Sequence, residues 1–287
     1  MTSSPSFFSR DVRVGKYKTH YVECGDGDPI VLVHGGGPGA SGSFNWHWAI
    51  PALARHGRVI AVDMLGYGGT DKPTDVEYSH RTLVRHLADF LDVLCLDQMC
   101  MAGNSLGAYV ATRYAVEEPD RVRKLLMVSS GTVAHAMGLD PDKIVGVKTL
   151  AKFDGSKESL RNVLAVLMHH PENVSEDLLE GRYRIAQQPG IAEAQRSFLT
   201  YLNTRLRNEP AQIQWFDLRH RLPRLGIPIK MIWGAHDTFA PPAFVQELRV
   251  LLPEMLIDVF EDSGHVVQND EPERFNRAAI EFFFGHK

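Results

Sequence analysis

Gly103-Asn104-Ser105-Leu106-Gly107 has the spacing of a nucleophile turn, G-x-S-x-G. A short apolar run, Met99 to Ala102, precedes it and a helical pattern follows, the context that motif requires. A serine on a sharp strand-to-helix turn holds strained dihedrals, so its neighbours must be small. The turn lifts the hydroxyl above a sheet edge and sets it at a helix N-terminus, where negative charge is stabilised. The competing reading is a serine that merely caps the helix.

A serine hydroxyl needs a base, and the base needs an orienting acid. The apolar run Ile229–Trp233 leads into Gly234-Ala235-His236-Asp237, which places Asp237 in a loop at a strand end. The run Leu256–Phe260 leads into Glu261-Asp262-Ser263-Gly264-His265, which places His265 at a second. Ser105, Asp237 and His265 are therefore the expected catalytic set, with His236 and Asp262 as local alternatives. Most of the 13 histidines are expected on the surface. His34-Gly35-Gly36-Gly37-Pro38-Gly39 follows the run Ile30–Val33. In a serine hydrolase such a loop presents a backbone N–H to the substrate. Gly36 and Leu106 are the expected oxyanion-hole donors.

A rival lies in the same loop. Gly37-Pro38-Gly39-Ala40-Ser41-Gly42 fits G-x-G-x-x-G, and Asp63 follows at a suitable distance for a ribose-binding acid. Pro38 removes an N–H where a pyrophosphate needs donors, Phe44-Asn45-Trp46 opens a helix poorly, and the fingerprint leaves the serine, aspartate and histidine unexplained. No P-loop motif and no cysteine–histidine cluster with zinc spacing occurs. Neither a cofactor nor a metal is expected.

Six short apolar runs, at Ile30, Val59, Met99, Leu125, Ile229 and Leu256, suit strands buried on both faces of a parallel sheet. Val12 to Tyr21 alternates imperfectly and reads as edge strands turning at Gly15. Leu83, Leu87, Phe90, Leu91 and Leu94 share a helix face behind a Ser79 cap. Ser105–Glu118 and Phe275–Phe283 are further helices. The alternation implies an α/β sheet with helices on both faces. It breaks between His135 and Pro210, where three helical patterns, Ser156–His170, Ser175–Gln187 and Ile191–Arg207, follow one another without strands. Residues 1–134 and 211–287 are read as the core, and 135–210 as a helical lid over the C-terminal edge of the sheet. The alternative is a run of ordinary crossover helices. Trp46, Trp48, Phe153 and Trp215 are expected in the core or a pocket wall.

The 287 residues are 44% hydrophobic and 23% charged, with net charge −4 and no block of like charge. A nucleic-acid surface is not expected. Three cysteines suit a reducing cytoplasm, and no apolar span approaches membrane length. Met1–Arg10 reads as a loose tail without a secretion segment.

These residues together resemble the α/β-hydrolase superfamily over nearly the whole chain: His34-Gly35, Asp63-Met64-Leu65-Gly66-Tyr67-Gly68, the serine turn, Asp237, and Gly264-His265, in that order. The stretch His34 to Asn45, with Asn104 and Gly181-Arg182-Tyr183, is similar to the meta-cleavage-product hydrolases. That resemblance implies hydrolysis of a carbon–carbon bond in 2-hydroxy-6-oxo-hexa-2,4-dienoates made by ring cleavage of catechols. It implies Arg182 as the carboxylate-binding residue, Asn45 and Asn104 as polar substrate contacts, and a small-molecule substrate handled by a homo-oligomer without membrane or nucleic acid. The chain departs from the family's pattern at Val266, where a tryptophan is usual after the catalytic histidine, and at Ala108, where a second glycine is common. Val266 would line the side of the pocket that takes the 6-substituent. The same triad would serve a carboxylesterase or amidase. The fold also hosts cofactor-free oxygenases and receptors without turnover.

Overall fold

Wholly apolar strands must be paired on both sides and covered on both faces, because they have no polar face to offer water. The computed structural model describes residues 7–144, 147–150 and 152–285; each of the six apolar runs forms a strand, five of them inside the sheet and the last, Leu256–Phe260, at its edge with Leu256 61% exposed. An antiparallel hairpin, β1 (Phe7–Val14) and β2 (Tyr17–Cys24), turns at Gly15 with φ 57°. β3 (Pro29–Val33), β4 (Arg58–Val62), β5 (Met99–Asn104), β6 (Val122–Val128), β7 (Ile229–Gly234) and β8 (Leu256–Phe260) follow. The sheet order is β1-β2-β4-β3-β5-β6-β7-β8. β2 runs antiparallel to β4, and every pair beyond β4 is parallel. Phe7–Arg10, expected in the tail, instead begin β1, with Phe7 opposite Cys24. An edge strand covered on neither face leaves no apolar pattern to read, and these four residues are all exposed. Residues 1–6 of the expected tail lie outside the described residues.

The helices that matter here are α1 (His80–Val93), α2 (Leu106–Glu117), α3 (Lys157–Leu167), α4 (Glu176–Ala186), α5 (Ile191–Asn203), α6 (Ala243–Leu251) and α7 (Pro272–Phe284). Ser79, Ser156 and Ser175 cap α1, α3 and α4, each side chain accepting from an N–H three residues on. Alternation along the strands divides the core. Val31, Val33, Met101, Leu125 and Met127 pack with α1, α2 and α6 on one face. Ile30, Leu32, Ala102, Leu126 and Val128 pack with Phe275, Ala279 and Phe283 of α7 on the other. Each fully buried large side chain contributes about 1.5–3 kcal/mol.

The order reverses at β3, which has β4 on one side and β5 on the other. Chains leaving adjacent strands in opposite directions open a crevice at their C-terminal ends. The glycine loop after β3 and the serine turn after β5 meet there. The helical segment leaves after β6 and returns before β7; Leu218 N–H donates to Ala136 O at its neck, 2.9 Å. Helix therefore continues past Pro210, to Phe216. Residues 145, 146 and 151 of the expected 135–210 lie outside the described residues. Contacts of this segment fall on loops at the C-terminal ends of the strands. Arg182 reaches Pro38, Lys72 reaches Gln188, Tyr78 N–H reaches Ser197, Thr238 reaches Val166, and His265 N–H reaches Leu167.

The histidines depart from expectation. Of the described ones only His56, His169, His220 and His236 are exposed. His80 lies among Tyr109, Phe198, Tyr201 and Phe216, and burial holds its imidazole down at about 3. His86 shares a hydrogen bond with Thr19 and is held at about 4. A neutral imidazole can pack as an aromatic ring, which a sequence pattern cannot distinguish from a surface histidine. Trp48, expected in the core or a pocket wall, is instead 48% exposed.

Candidate active site

Ser105 has φ 55° and ψ −119°, a conformation costly for any residue with a Cβ, by roughly 1–3 kcal/mol. The two motif glycines follow from the crowding around this turn. A Cβ on Gly103 would lie 2.4 Å from Gly107 O, and one on Gly107 would lie 2.3 Å from both Val33 O and His34 O. Ser105 N–H donates to Val128 O at 2.9 Å, and Ser130 Oγ donates to Ser105 O at 2.7 Å, which ties the turn to β6. The Ser105 side chain makes no capping bond, so the reading of a mere helix cap has no support.

Asp237 and His265 are both buried and bonded, with His265 Nδ1 2.9 Å from Oδ2 and 3.0 Å from Oδ1. Oδ1 also accepts the N–H groups of Phe239 (2.7 Å) and Ala240 (2.8 Å), so the carboxylate is fixed by its own loop. The loops after β7 and β8 approach so closely that a Cβ on Gly234 would fall 2.0 Å from Gly264 O. Among the described residues, neither Ser105 Oγ nor His265 Nε2 has a hydrogen-bond partner. His236 and Asp262 lie outside this arrangement. His236 is exposed and stacks on His169, and Asp262 is exposed and pairs with His169 and His170.

The glycine loop faces the serine turn. A Cβ on Gly35 would stand 3.3 Å from Ser105 Cβ, and one on Gly36 would stand 3.5 Å from Leu106 Cδ2. Leu106 opens α2, so its N–H has no acceptor within the helix. The loop is held from beneath. His34 Nδ1 donates to Gly35 O (2.7 Å), and its Nε2 accepts from Met64 N–H (3.0 Å). The dinucleotide alternative fails here, because Arg182 O fills the place of a Cβ on Gly39, 2.1 Å away, and leaves no room for a pyrophosphate.

Asn45 and Asn104 are buried but turned toward protein. Asn45 Oδ1 accepts from Gly35 N–H and its Nδ2 donates to Asn104 Oδ1. Asn104 Nδ2 donates to Val128 O and His265 O, both 3.2 Å. With both amide hydrogens of Asn104 committed, the expectation of a donor to substrate does not hold. The pair instead ties the glycine loop, the serine turn and the histidine loop together. Gln268, which sequence reasoning missed, extends the chain by donating to Asn45 O at 3.1 Å. Asp270 was missed as well. It accepts from Gly264, His169 and His170 N–H groups at 2.8, 3.1 and 2.9 Å, joining the helical segment to the histidine loop. Only a partner distant in sequence reveals either role.

Arg182 is 6% exposed on α4 and donates to Pro38 O at 3.1 Å. Its Nε is buried without a partner, and among the described residues no carboxylate pairs with it. Burial pushes the guanidinium down to about 10, so it keeps its charge at neutral pH. Val266 lies in a separate apolar cluster with Leu160, Val163, Leu164, Leu167, Leu179 and Phe239. Arg182 thus brings a cationic group to the glycine loop, and Val266 lies in an apolar cluster next to His265 in the chain.

The profile of the alpha/beta hydrolase family matches residues 30–278. The chain is 32% identical to a 2-hydroxy-6-oxo-2,4-heptadienoate hydrolase of Pseudomonas putida, over 98% of both chains. It is 30% identical to a 2-hydroxy-6-oxo-6-phenylhexa-2,4-dienoate hydrolase of Comamonas testosteroni, over 92% of this chain and 90% of that one. Among solved structures, a meta-cleavage product hydrolase from Pseudomonas fluorescens IP01 superposes with TM-score 0.81 at 29% identity, covering 96% of this chain and 97% of that one.

Proposed function

The chain belongs to the alpha/beta hydrolase family, and we propose that it hydrolyses the carbon–carbon bond beside the 6-carbonyl of a 2-hydroxy-6-oxo-hexa-2,4-dienoate. The observation that carries this reading is Arg182: a charged guanidinium, buried on the glycine loop, with no carboxylate of its own among the described residues. A dienoate carboxylate would satisfy it. A neutral ester would not.

Expelling a carbanion is the difficulty, and the residues offer a route around it. The proton of the 2-hydroxyl moves to C5, with His265 Nε2 as carrier, and gives the 2,6-dioxo form. Ser105 Oγ then attacks C6 while His265 takes its proton. The oxyanion at C6 accepts from the Gly36 and Leu106 N–H groups. The C5–C6 bond breaks, and its electron pair becomes the 2-oxido-dienoate held by Arg182. His265 protonates this product to 2-hydroxypenta-2,4-dienoate. It then activates water, which releases the acyl group from Ser105 as a carboxylic acid. Asp237 orients the imidazole throughout.

Residues 135–210 serve as a lid, as their contacts with the loops around the serine turn support. Val266 walls the apolar end, and its small size admits a broader 6-substituent than a tryptophan would. No helix among the described residues is long and apolar enough to cross a membrane. The three cysteines are free, which supports a cytoplasmic setting. The family resemblance supports a homo-oligomer, to be checked by light scattering for a mass above 32.1 kDa. The deciding assay follows loss of absorbance with a panel of yellow dienoates beside a nitrophenyl-ester panel. Turnover of the esters alone would replace the proposal with a carboxylesterase.

A further inference from the structure

Outside the active site, three metal-competent side chains converge where the helical segment meets the histidine loop. Asp262 divides its carboxylate between two imidazoles, with Oδ1 3.3 Å from His169 Nε2 and Oδ2 3.0 Å from His170 Nε2. One ligand atom from each of the three residues lies within 4.8 Å of the others. Ligand atoms around a tetrahedral zinc ion stand about 3.4 Å apart, given bonds of about 2.0–2.2 Å. The two imidazole–carboxylate spacings are already near that value.

The surroundings are those of a ligand set. His170 Nδ1 lies 3.0 Å from Glu172 Oε1, the carboxylate partner that fixes a metal-binding imidazole with Nε2 directed at the ion. His169 is set by its stack on His236, with ring centroids 3.9 Å apart and planes 6° apart. Both histidine backbones are pinned to the loop bearing Asp262 by Asp270, which accepts their N–H groups together with that of Gly264. Glu172 and His236 thus set the two imidazoles, and Asp270 ties their backbone to the histidine loop, before any ion arrives.

We propose that His169, His170 and Asp262 bind a divalent transition-metal ion of the zinc class, with a fourth position open to solvent. Two imidazoles and a carboxylate form a donor set that Zn²⁺ takes. The ion spans the junction, with two ligands on the helical segment and one on the loop that leads to His265. It therefore adds a reversible cross-link between the two parts of the chain.

The test is titration of Zn²⁺ into the chelator-treated full-length protein against a chromophoric chelator, with the melting temperature measured alongside. Wild type should bind with saturation and melt higher as Zn²⁺ rises. His170→Ala and Asp262→Asn should bind at least about tenfold more weakly and lose the rise. Glu172→Gln, which removes no ligand, should also weaken binding by about tenfold. His220→Ala, at an exposed histidine elsewhere, should change nothing. Dienoate turnover in metal-free buffer should match wild type in all four variants, which verifies that they are folded. Absence of saturable binding, or His170→Ala and Asp262→Asn proteins that bind as tightly as wild type, overturns the proposal.

Discussion

Two regions among the described residues each pair a histidine with an aspartate in a setting that also offers a serine. At the edge of the sheet, Ser9 Oγ lies 2.8 Å from His20 Nε2, and His20 Nδ1 lies 2.7 Å from Asp63 Oδ2. At the crevice, His265 bonds Asp237 at 2.9 Å and stands free of Ser105. By distance alone the first looks more complete. What it lacks is everything around it. Ser9 sits in β1 with ordinary strand pairing, no helix begins after it, and no glycine loop faces it. Asp63 also accepts Gly42 and Gly69 N–H groups, so it organises two loops. The comparison teaches that the proposed chemistry needs more than three side chains: a strained turn, the N–H of Leu106 at a helix start and the N–H of Gly36 on a facing loop.

The sharpest way to break that comparison is to remove each serine. Ser105→Ala, or His265→Ala, should lower dienoate turnover by at least about 10³-fold, and the double variant should lose little more, because the residues act as a unit. Ser9→Ala should leave kcat/KM within about twofold. Near-normal steady-state turnover by the Ser105→Ala enzyme would remove the nucleophile from the mechanism.

Arg182→Ala comes next. The charged hydrogen bond to a dienoate carboxylate is worth roughly 1.5–3 kcal/mol, so kcat/KM should fall about ten- to a hundredfold on dienoates and far less on neutral esters. Equal losses on both would disconnect Arg182 from the carboxylate.

The two aspartates should then separate stability from chemistry. Asp63→Ala strands His20 and two backbone N–H groups and should cost about 3 kcal/mol on denaturant unfolding. Asp237→Asn should act mainly on turnover. A large fall in stability for Asp237→Asn with none for Asp63→Ala would reverse the roles.

The smallest effect is a pH dependence. The Asp63 hydrogen bond raises the His20 imidazole above its ordinary value of 6.5. The folded state therefore binds the proton more tightly. The resulting stability is fully present below pH 6.5 and disappears as pH climbs through the raised value. His80 and His86 act in the opposite sense. Held neutral by burial at about 3 and about 4, they make the folded state lose stability as pH falls below 6.5. Melting temperatures of wild type and His20→Gln across pH 5 to 9 should converge at the alkaline end.

The sequence revealed strands wherever both faces are buried, because Ile30–Val33 or Leu125–Val128 can be nothing else in water. It pointed to Ser105, Asp237 and His265, the proposed catalytic set, because all three stand where apolar runs end. It hid Phe7–Arg10, whose strand has a neighbour on one side only. It also misled on Asn104, since an amide beside a nucleophile reads alike whether it faces a ligand or the carbonyls of Val128 and His265. The links from Gln268 and Asp270 join residues far apart along the chain, and no local pattern encodes them.

The bond from His265 N–H to Leu167 O, 2.8 Å, has a consequence for engineering. The helical segment is spliced in between neighbouring parallel strands, an arrangement that invites exchange with the corresponding segment of a relative. Yet the backbone of the segment is itself part of the mount for the His265 loop. A chimaera cut inside residues 167–170 would inherit a new roof over a loosened base. One that keeps those four residues with the host would change specificity while preserving the reaction.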